Sequence, residues 1–160
     1  MNIRIVCVLM CLFAFGCEHP RLEESFFKRP LGDRLGRLRQ YNLEDQYKIF
    51  RYGNDRIEPP LMDLAGPIAE KGATAIPFLL TQLDSKADDL AIRDILMLFA
   101  TMAHSKNYDV KSDKTLMTML TSKVSGMKDK EWQGICSKML ERINEEQKRE
   151  QAAGVGLGLP

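Results

Sequence analysis

The sequence predicts an all-α fold, on three observations from residues 61–103. This stretch divides into three segments in which apolar residues recur at helical spacing, with Gly, Pro, Ser or Asp at the breaks between them. The third segment, at 87–103, has almost no polar face, and a helix of that kind has to be enclosed by other helices. The turns between the segments are short and polar, which favours antiparallel neighbours. We therefore expect about five helices paired in hairpins, as an α-α superhelix or an irregular bundle.

Length and composition limit the class of protein. The length of 160 residues is that of one domain, and 28% charged with 44% hydrophobic residues is ordinary for a soluble globular protein. The 23 Lys and Arg residues are matched by 22 Asp and Glu residues, whereas nucleic-acid-binding proteins usually show a basic excess or stripe. We therefore expect no nucleic-acid partner.

The first residues, MNIRIVCVLMCLFAFGC, have the three parts of an export signal. Arg4 gives a positive start, residues 5–15 form an apolar run, and small residues precede Cys17. The run is shorter than the roughly 20 residues that span a bilayer. A buried N-terminal helix is the alternative, but the run lacks a polar face. We therefore predict a signal peptide over residues 1–16.

The segment Ala14-Phe15-Gly16-Cys17 resembles a bacterial lipobox, in which a Leu, a small residue and a Gly or Ala precede a Cys. The resemblance implies that the signal is cut before Cys17, that the thiol receives a diacylglyceryl group, and that the new N-terminus is acylated, as with palmitate. Such chains anchor a protein firmly, since each buried CH₂ contributes about 0.8 kcal/mol. The same resemblance implies that Glu18, rather than Asp, after the cysteine directs the protein to the outer membrane, facing the periplasm. The alternative is a cut by ordinary signal peptidase and plain secretion.

The chain then divides into a signal peptide at 1–16, a lipid-anchored tether at 17–40, a helical domain at 41–150 and a disordered tail at 151–160. Prolines and glycines in the tether discourage long regular structure. Its basic residues either contact anionic lipid head groups or solubilise a linker. Two aromatic residues of the tether either dock on the domain or dip into the membrane interface: Phe26 and Phe27.

Capping residues and helix breakers set the expected helix bounds in the domain. The first helix is expected to begin after Asn42 and to end at Gly53. The second is expected to run from near Leu61 to Gly72, with a kink at Pro67. The N-caps expected for the later helices are Thr74, Asp88 or Asp89, Ser112 and Asp129. The last helix carries an apolar stripe that is expected to face inward: Trp132, Ile135, Cys136, Met139, Leu140 and Ile143.

Residues 61–103 also resemble a HEAT repeat. The resemblance rests on Ala75-Ile76-Pro77, on the leucines at 79, 80 and 83, and on Asp89-x-x-Ile92-Arg93 at the family's distance. It implies paired helices, with Asp89 as a cap and Arg93 reaching along the turn. HEAT proteins mostly bind other proteins on a concave helical surface, so the resemblance implies a binding role.

The sequence offers few candidates for chemistry. It contains no Gly-rich phosphate loop, nucleophile elbow or zinc spacing. The two histidines are His19, in the tether, and His104, which suits the dipole at the end of the central helix. Cys136 is expected to be a small buried hydrophobe rather than a nucleophile. We expect no catalytic residue, no metal and no cofactor, and hence no enzymatic activity.

These observations favour a non-enzymatic interaction protein, a scaffold or adaptor of the bacterial envelope. It would be anchored in the lipid bilayer through acylated Cys17 and would bind a protein partner. The alternative from another class is a soluble periplasmic or secreted small-molecule binder or enzyme, with an inter-helix pocket near Tyr47, Tyr52, His104 and Tyr108. A third hypothesis is an immunity or inhibitor lipoprotein. A binder or enzyme needs several polar groups aimed into one cleft, and that feature separates the classes.

Overall fold

The structure, a computed structural model, describes residues 21–30, 32–57, 61–83 and 87–154, with side chains up to residue 145. The expected signal peptide, the lipobox-like segment and His19 lie outside the described residues. Across the described ranges every regular element is helical, which confirms the prediction of an all-α fold. The described chain has eight α-helices, where about five were expected from the sequence.

The helices follow one another with short connections. In chain order they are α1 (Leu22–Phe27), α2 (Arg34–Arg39), α3 (Leu43–Arg56), α4 (Ala65–Ala69), α5 (Ile76–Gln82), α6 (Asp89–His104), α7 (Lys114–Ser125) and α8 (Lys130–Gly154). A 3₁₀ turn precedes each of the two shortest central helices, at Met62–Leu64 before α4 and at Gly72–Ala75 before α5. Because α8 continues to Gly154, its end falls within the tail that the sequence predicts to be disordered.

The helix α6 is the centre of the domain, as the sequence predicts. It contacts α3, α4, α5, α7 and α8. Its apolar residues are buried from Ala91 to Phe99 and again at Met102, and Leu98 and Phe99 are fully enclosed. Enclosure removes the apolar surface of this helix from water. Each Å² of apolar surface buried stabilises the fold by about 25 cal/mol. This burial is the main reason why the surrounding helices pack together.

Three helices begin at the N-cap residues that the sequence predicts. At each one an Asp or Asn side chain accepts a hydrogen bond from a backbone N–H of the first turn. Asn42 Oδ1 accepts from Asp45 N at 2.9 Å, and Asp88 Oδ1 accepts from Ala91 N at 2.7 Å. Asp129 Oδ1 likewise accepts from the first turn of α8. Two expected caps are wrong. Asp113 caps α7 in place of Ser112, because its carboxylate accepts from Leu116 N at 2.9 Å. Thr74 lies inside the second 3₁₀ turn and donates to a backbone carbonyl there.

The described part of the expected tether is helical and packs on the domain. Phe26, in α1, is 1% exposed, and Leu38, in α2, is fully buried. Phe27 stacks on Tyr52 of α3 with ring centroids 5.6 Å apart. Of the two possibilities for the aromatic pair, the structure therefore shows docking on the domain. Prolines and glycines keep α1 and α2 short but do not prevent them from contributing to the core.

Two glycines act differently from the expectation. Gly53 does not end α3, which continues to Arg56. A Cβ at this position would lie 2.9 Å from Leu64 Cδ1 and 3.1 Å from Phe27 Cζ, so the glycine permits close packing. Residues 61–72 form a 3₁₀ turn followed by the five-residue α4, rather than one helix kinked at Pro67. Gly72 has a φ of 53° and begins the next 3₁₀ turn.

Replacing Gly72 by Ala should destabilise the fold strongly. The new Cβ would lie 2.5 Å from the backbone oxygen of Asn107, and a non-glycine residue with this φ is strained by about 1–2 kcal/mol. We expect the free energy of unfolding in urea to fall by about 2 kcal/mol or more. The control is Gly134→Ala in α8, where nothing lies within 4 Å of the new Cβ. Its expected effect is a gain of about 0.5–1 kcal/mol, and equal losses in both variants would contradict this reading of Gly72.

Candidate functional site

The helices α6 and α8 are joined by two side chains from the start of α6. Asp89 Oδ2 accepts hydrogen bonds from the backbone nitrogens of Lys128 and Asp129, at 2.9 and 2.7 Å. The guanidinium of Arg93 lies over the ring of Trp132, 4.8 Å from its centroid. The expectation that Asp89 caps its own helix is therefore wrong. This residue and Arg93 instead reach across to α8 and fix where it begins.

A buried carboxylate lies beneath this contact. Asp94 is 1% exposed, and its Oδ1 accepts from Arg93 Nη2 at 2.7 Å, Arg93 Nε at 3.0 Å and Asn54 Nδ2 at 3.1 Å. Its Oδ2 lies 3.5 Å from Arg51 Nε. Burial raises the pKa of the Asp94 carboxyl, while both arginines and the amide stabilise its ionised form. An ionised group in a core requires such partners, since an isolated buried charge is very unfavourable.

Beside Arg93, α6 and α8 line a cleft of about 520 Å³, here called the apolar groove. From α6 the lining residues are Arg93, Met97, Ala100, Thr101 and His104. From α8 they are Trp132, Ile135, Met139, Arg142 and Ile143, and Met62 completes the set. Of the apolar stripe on α8, only Cys136, Leu140 and Ile143 are buried. The expectation that Ile135 faces the core is wrong, because it is 41% exposed at the groove, where Met62 is 59% exposed.

A second cleft, of about 710 Å³, is lined by Arg51 and is here called the charged cleft. Its charged lining residues are Arg21, Lys48, Arg51, Arg56, Glu23, Glu44, Asp55 and Asp88. Its other lining residues are Tyr47, Tyr52, Phe78, Gln82 and Leu90. Tyr47 is 4% exposed, and its hydroxyl has no hydrogen-bond partner among the described residues. Burial raises the pKa of this hydroxyl to about 12, so it remains protonated at neutral pH.

The pocket expected from the sequence is therefore divided. Tyr47 and Tyr52 line the charged cleft, whereas His104 lines the apolar groove. Tyr108 belongs to neither and donates to Asp113 Oδ2 at 2.7 Å. Cys136 is fully buried, as expected, and burial raises the pKa of its thiol to about 11. Cys17, the residue expected to be lipidated, lies outside the described ranges.

Sequence reasoning missed the buried ion pair. Its signal is a charged dipeptide, Arg93-Asp94, inside the most apolar segment of the chain, where no polar face exists to expose it. It also missed that the stripe on α8 is wider than the surface that α6 covers. A stripe of six apolar positions shows that one side of the helix avoids water, but not which of them another helix reaches.

Among the described helices, none is long and apolar enough to cross a bilayer. No three His, Cys, Asp or Glu side chains of the described ranges come together as metal ligands would. Comparison with known proteins gives no match to a family model, to a curated protein or to a solved structure.

Removal of the buried carboxylate should destabilise the fold. Asp94→Ala would leave the guanidinium of Arg93, which is 7% exposed, without its close partner. We expect a loss of about 3 kcal/mol or more in the free energy of unfolding measured in urea. Asp55→Ala is the matched control, because Asp55 forms a solvent-exposed pair with Arg56, and such pairs contribute about 0–1 kcal/mol. A loss below about 1 kcal/mol in Asp94→Ala would mean that the buried pair does not stabilise the core.

Proposed function

We propose that this chain is a non-enzymatic protein-interaction module of the bacterial envelope, and that the apolar groove is its binding surface. The observation that carries this proposal is the exposure of large apolar side chains along the groove. Folded domains seldom leave neighbouring apolar side chains in water unless the surface has a partner. Here Met62 and Ile135 both line the apolar groove, and they are 59% and 41% exposed.

The composition of the groove fits a protein partner. Trp, Arg and Met are enriched in the centres of protein interfaces, and all three line this groove. Trp132 is held in place by Arg93 and offers a large surface at little entropic cost. Three methionines, Met62, Met97 and Met139, offer flexible side chains that adapt to a partner's shape. Few polar groups are aimed into the groove, which is unlike an enzyme active site.

The charge of the groove indicates the kind of partner. Among the described residues that line it, the charged ones are Arg93 and Arg142, and none is Asp or Glu. An amphipathic helix that lays its apolar face in a groove presents residues at i, i+3, i+4 and i+7. Arg93 is already paired with Asp94, so carboxylates beside that face of a partner helix would complement the exposed Arg142. We therefore assign the groove to an acidic amphipathic helix of another protein.

The anchor and the envelope location are part of the same proposal. They are supported by the export signal and by the lipobox-like segment that ends at Cys17. Arg21 follows Cys17 by four positions, which is about 14 Å of extended chain at most. A lipid on Cys17 would therefore hold the domain close to the membrane surface, with outer membrane and periplasm as the proposed address. The pairing of helices in HEAT-like hairpins belongs to this proposal too, on the motifs at 61–103.

The partner assignment can be tested with two synthetic helical peptides of about 16 residues, a length at which isolated helices begin to form. Both carry the same leucine face, and their flanks carry either glutamates or lysines. Trp132 is the single tryptophan of the chain and lines the groove, so its fluorescence reports binding. We expect the glutamate peptide to bind at least about tenfold more tightly than the lysine peptide, and to weaken as salt is added.

Two variants locate the peptide on the protein. Ile135→Asp places a carboxylate in the groove and should weaken the glutamate peptide at least about tenfold. Gly134→Asp places a carboxylate on the preceding residue, where nothing lies within 4 Å of the new Cβ. This control should leave the affinity for the glutamate peptide unchanged. Equal affinity for the two peptides, or no change of Trp132 fluorescence with either, would rule out the assigned partner.

The anchor is tested separately by intact mass. When the full chain is expressed in a bacterium, we expect membrane-bound protein that begins at Cys17 and carries a diacylglyceryl group and an acyl chain. Cys17→Ser should abolish this added mass, while Cys11→Ser, within the expected signal peptide, should leave it unchanged. A bare chain that begins at Cys17 and stays in the soluble fraction would exclude the lipid anchor.

A further inference from the structure

We propose that the charged cleft is a second binding site, for a small organic anion. The ligand carries one carboxylate or phosphate group on an aromatic or apolar body, and Arg51 and the Tyr47 hydroxyl hold the anionic group. This inference is independent of the peptide groove and goes beyond the proposed function. It rests on the criterion given above for a small-molecule binder, namely several polar groups that line one cleft.

The first reason is the unpaired hydroxyl of Tyr47. Its side chain lines the cleft, yet the oxygen is buried and bonds to no described residue. A buried polar group without a partner is unfavourable by about 1–3 kcal/mol and is uncommon in native structures. Because the hydroxyl stays protonated, it is available as a donor. An anion entering the cleft would supply the missing acceptor.

The second reason is the unused hydrogen-bonding capacity of Arg51. It follows Tyr47 by four residues in α3, so the two side chains lie on the same side of the helix. Its Nε lies 3.5 Å from Asp94, and its Nη2 lies 3.6 Å from Asp88. Neither distance is that of a good hydrogen bond. Within the described ranges, its terminal amino groups therefore retain donors that can grip an anion from two sides.

If Arg51 binds a ligand, the two carboxylates near it still keep hydrogen-bond donors. Asp88 keeps the hydrogen bond that it accepts from Ala91 N. Asp94 keeps its closer bonds to Arg93 and to Asn54. The guanidinium can also stay on Asp94 through Nε while its two amino groups face the cleft.

The other charges of the cleft largely compensate one another. Lys48 Nζ lies 2.8 Å from Glu44, and its pKa is raised mainly by the hydrogen bond to Glu44, with smaller contributions from Asp45 and Glu23. Arg56 pairs with Asp55 at 3.0 Å. Arg21, which is exposed at the rim, forms no ion pair with a described residue. Arg21 and Arg51 are therefore the cations of the cleft that a ligand anion would meet.

The walls provide for the apolar body of the ligand. The rings of Tyr47 and Phe78 meet edge to face with centroids 5.5 Å apart, and Leu90 also lines the cleft. The volume of about 710 Å³ is within the range that small-molecule sites occupy. A ring or short apolar chain would pack against these side chains while its anionic group points to Arg51.

The experiment is an NMR titration of the purified protein with benzoate and phenyl phosphate, against benzyl alcohol as the neutral probe. We expect either anion to shift the Arg51 Nε–H and Tyr47 ring signals, and to bind at least about tenfold more tightly than the alcohol. Arg51→Met should weaken the preferred anion about tenfold or more. Lys48→Met, at the rim and already paired with Glu44, should change its affinity less than about twofold.

Tyr47→Phe keeps the test decisive if Arg51→Met does not fold. It removes only a hydroxyl without a partner, so thermal stability should be unchanged or higher, whereas affinity for the anion should fall about 3- to 10-fold. Two results would overturn the inference. One is an anion affinity no higher than that of benzyl alcohol. The other is an affinity that Tyr47→Phe and Arg51→Met both leave unchanged.

Discussion

The enclosure of α6 is the constraint on which the rest of the structure depends. A helix that is apolar on nearly every side cannot face water, so α3, α4, α5, α7 and α8 must cover it. That cover also buries Asp94, the one acidic group in the middle of the helix. An ionised side chain there is tolerated only with close counter-charges, and these come from Arg93 on the same helix and Arg51 on α3. The buried charge thus holds Arg93 by hydrogen bonds and brings Arg51 Nε to 3.5 Å.

Each of these arginines faces a different cleft, and this explains why the two sides of α6 differ in chemistry. The guanidinium of Arg93 lies over the ring of Trp132, and its delocalised charge is already paired with Asp94. Arg51 meets its carboxylates only at 3.5 and 3.6 Å and keeps its polar donors available. One side is therefore suited to a large apolar contact, and the other to a polar group. The same buried carboxylate supports both surfaces.

The sequence is sufficient for the features that depend on local chemistry. Helical periodicity gives α6, and side chains such as Asn42, Asp88 and Asp129 mark helix starts because each acts within its own first turn. Features that depend on contacts between residues far apart in the chain could not be predicted from the sequence. Asp89 looks like a cap but accepts from the start of α8, 40 residues on at its farthest. Phe26 lies in a stretch with the composition of a linker, yet it fills a space beside Tyr41. The clefts were unpredictable for the same reason, since they are the places that neighbouring helices leave uncovered.

The burial of Cys136 has a consequence for the chemistry of the whole domain. With its thiol fully enclosed and its pKa raised to about 11, very little of the reactive thiolate is present at neutral pH. Oxidation and disulfide exchange both proceed through that thiolate and need access to the sulfur. In an oxidising compartment the unfolded chain is therefore vulnerable at this position, whereas the folded chain is protected. Cys136 can form a non-native disulfide only until the core closes over it. Faster folding therefore leaves a smaller fraction of the protein with such a disulfide.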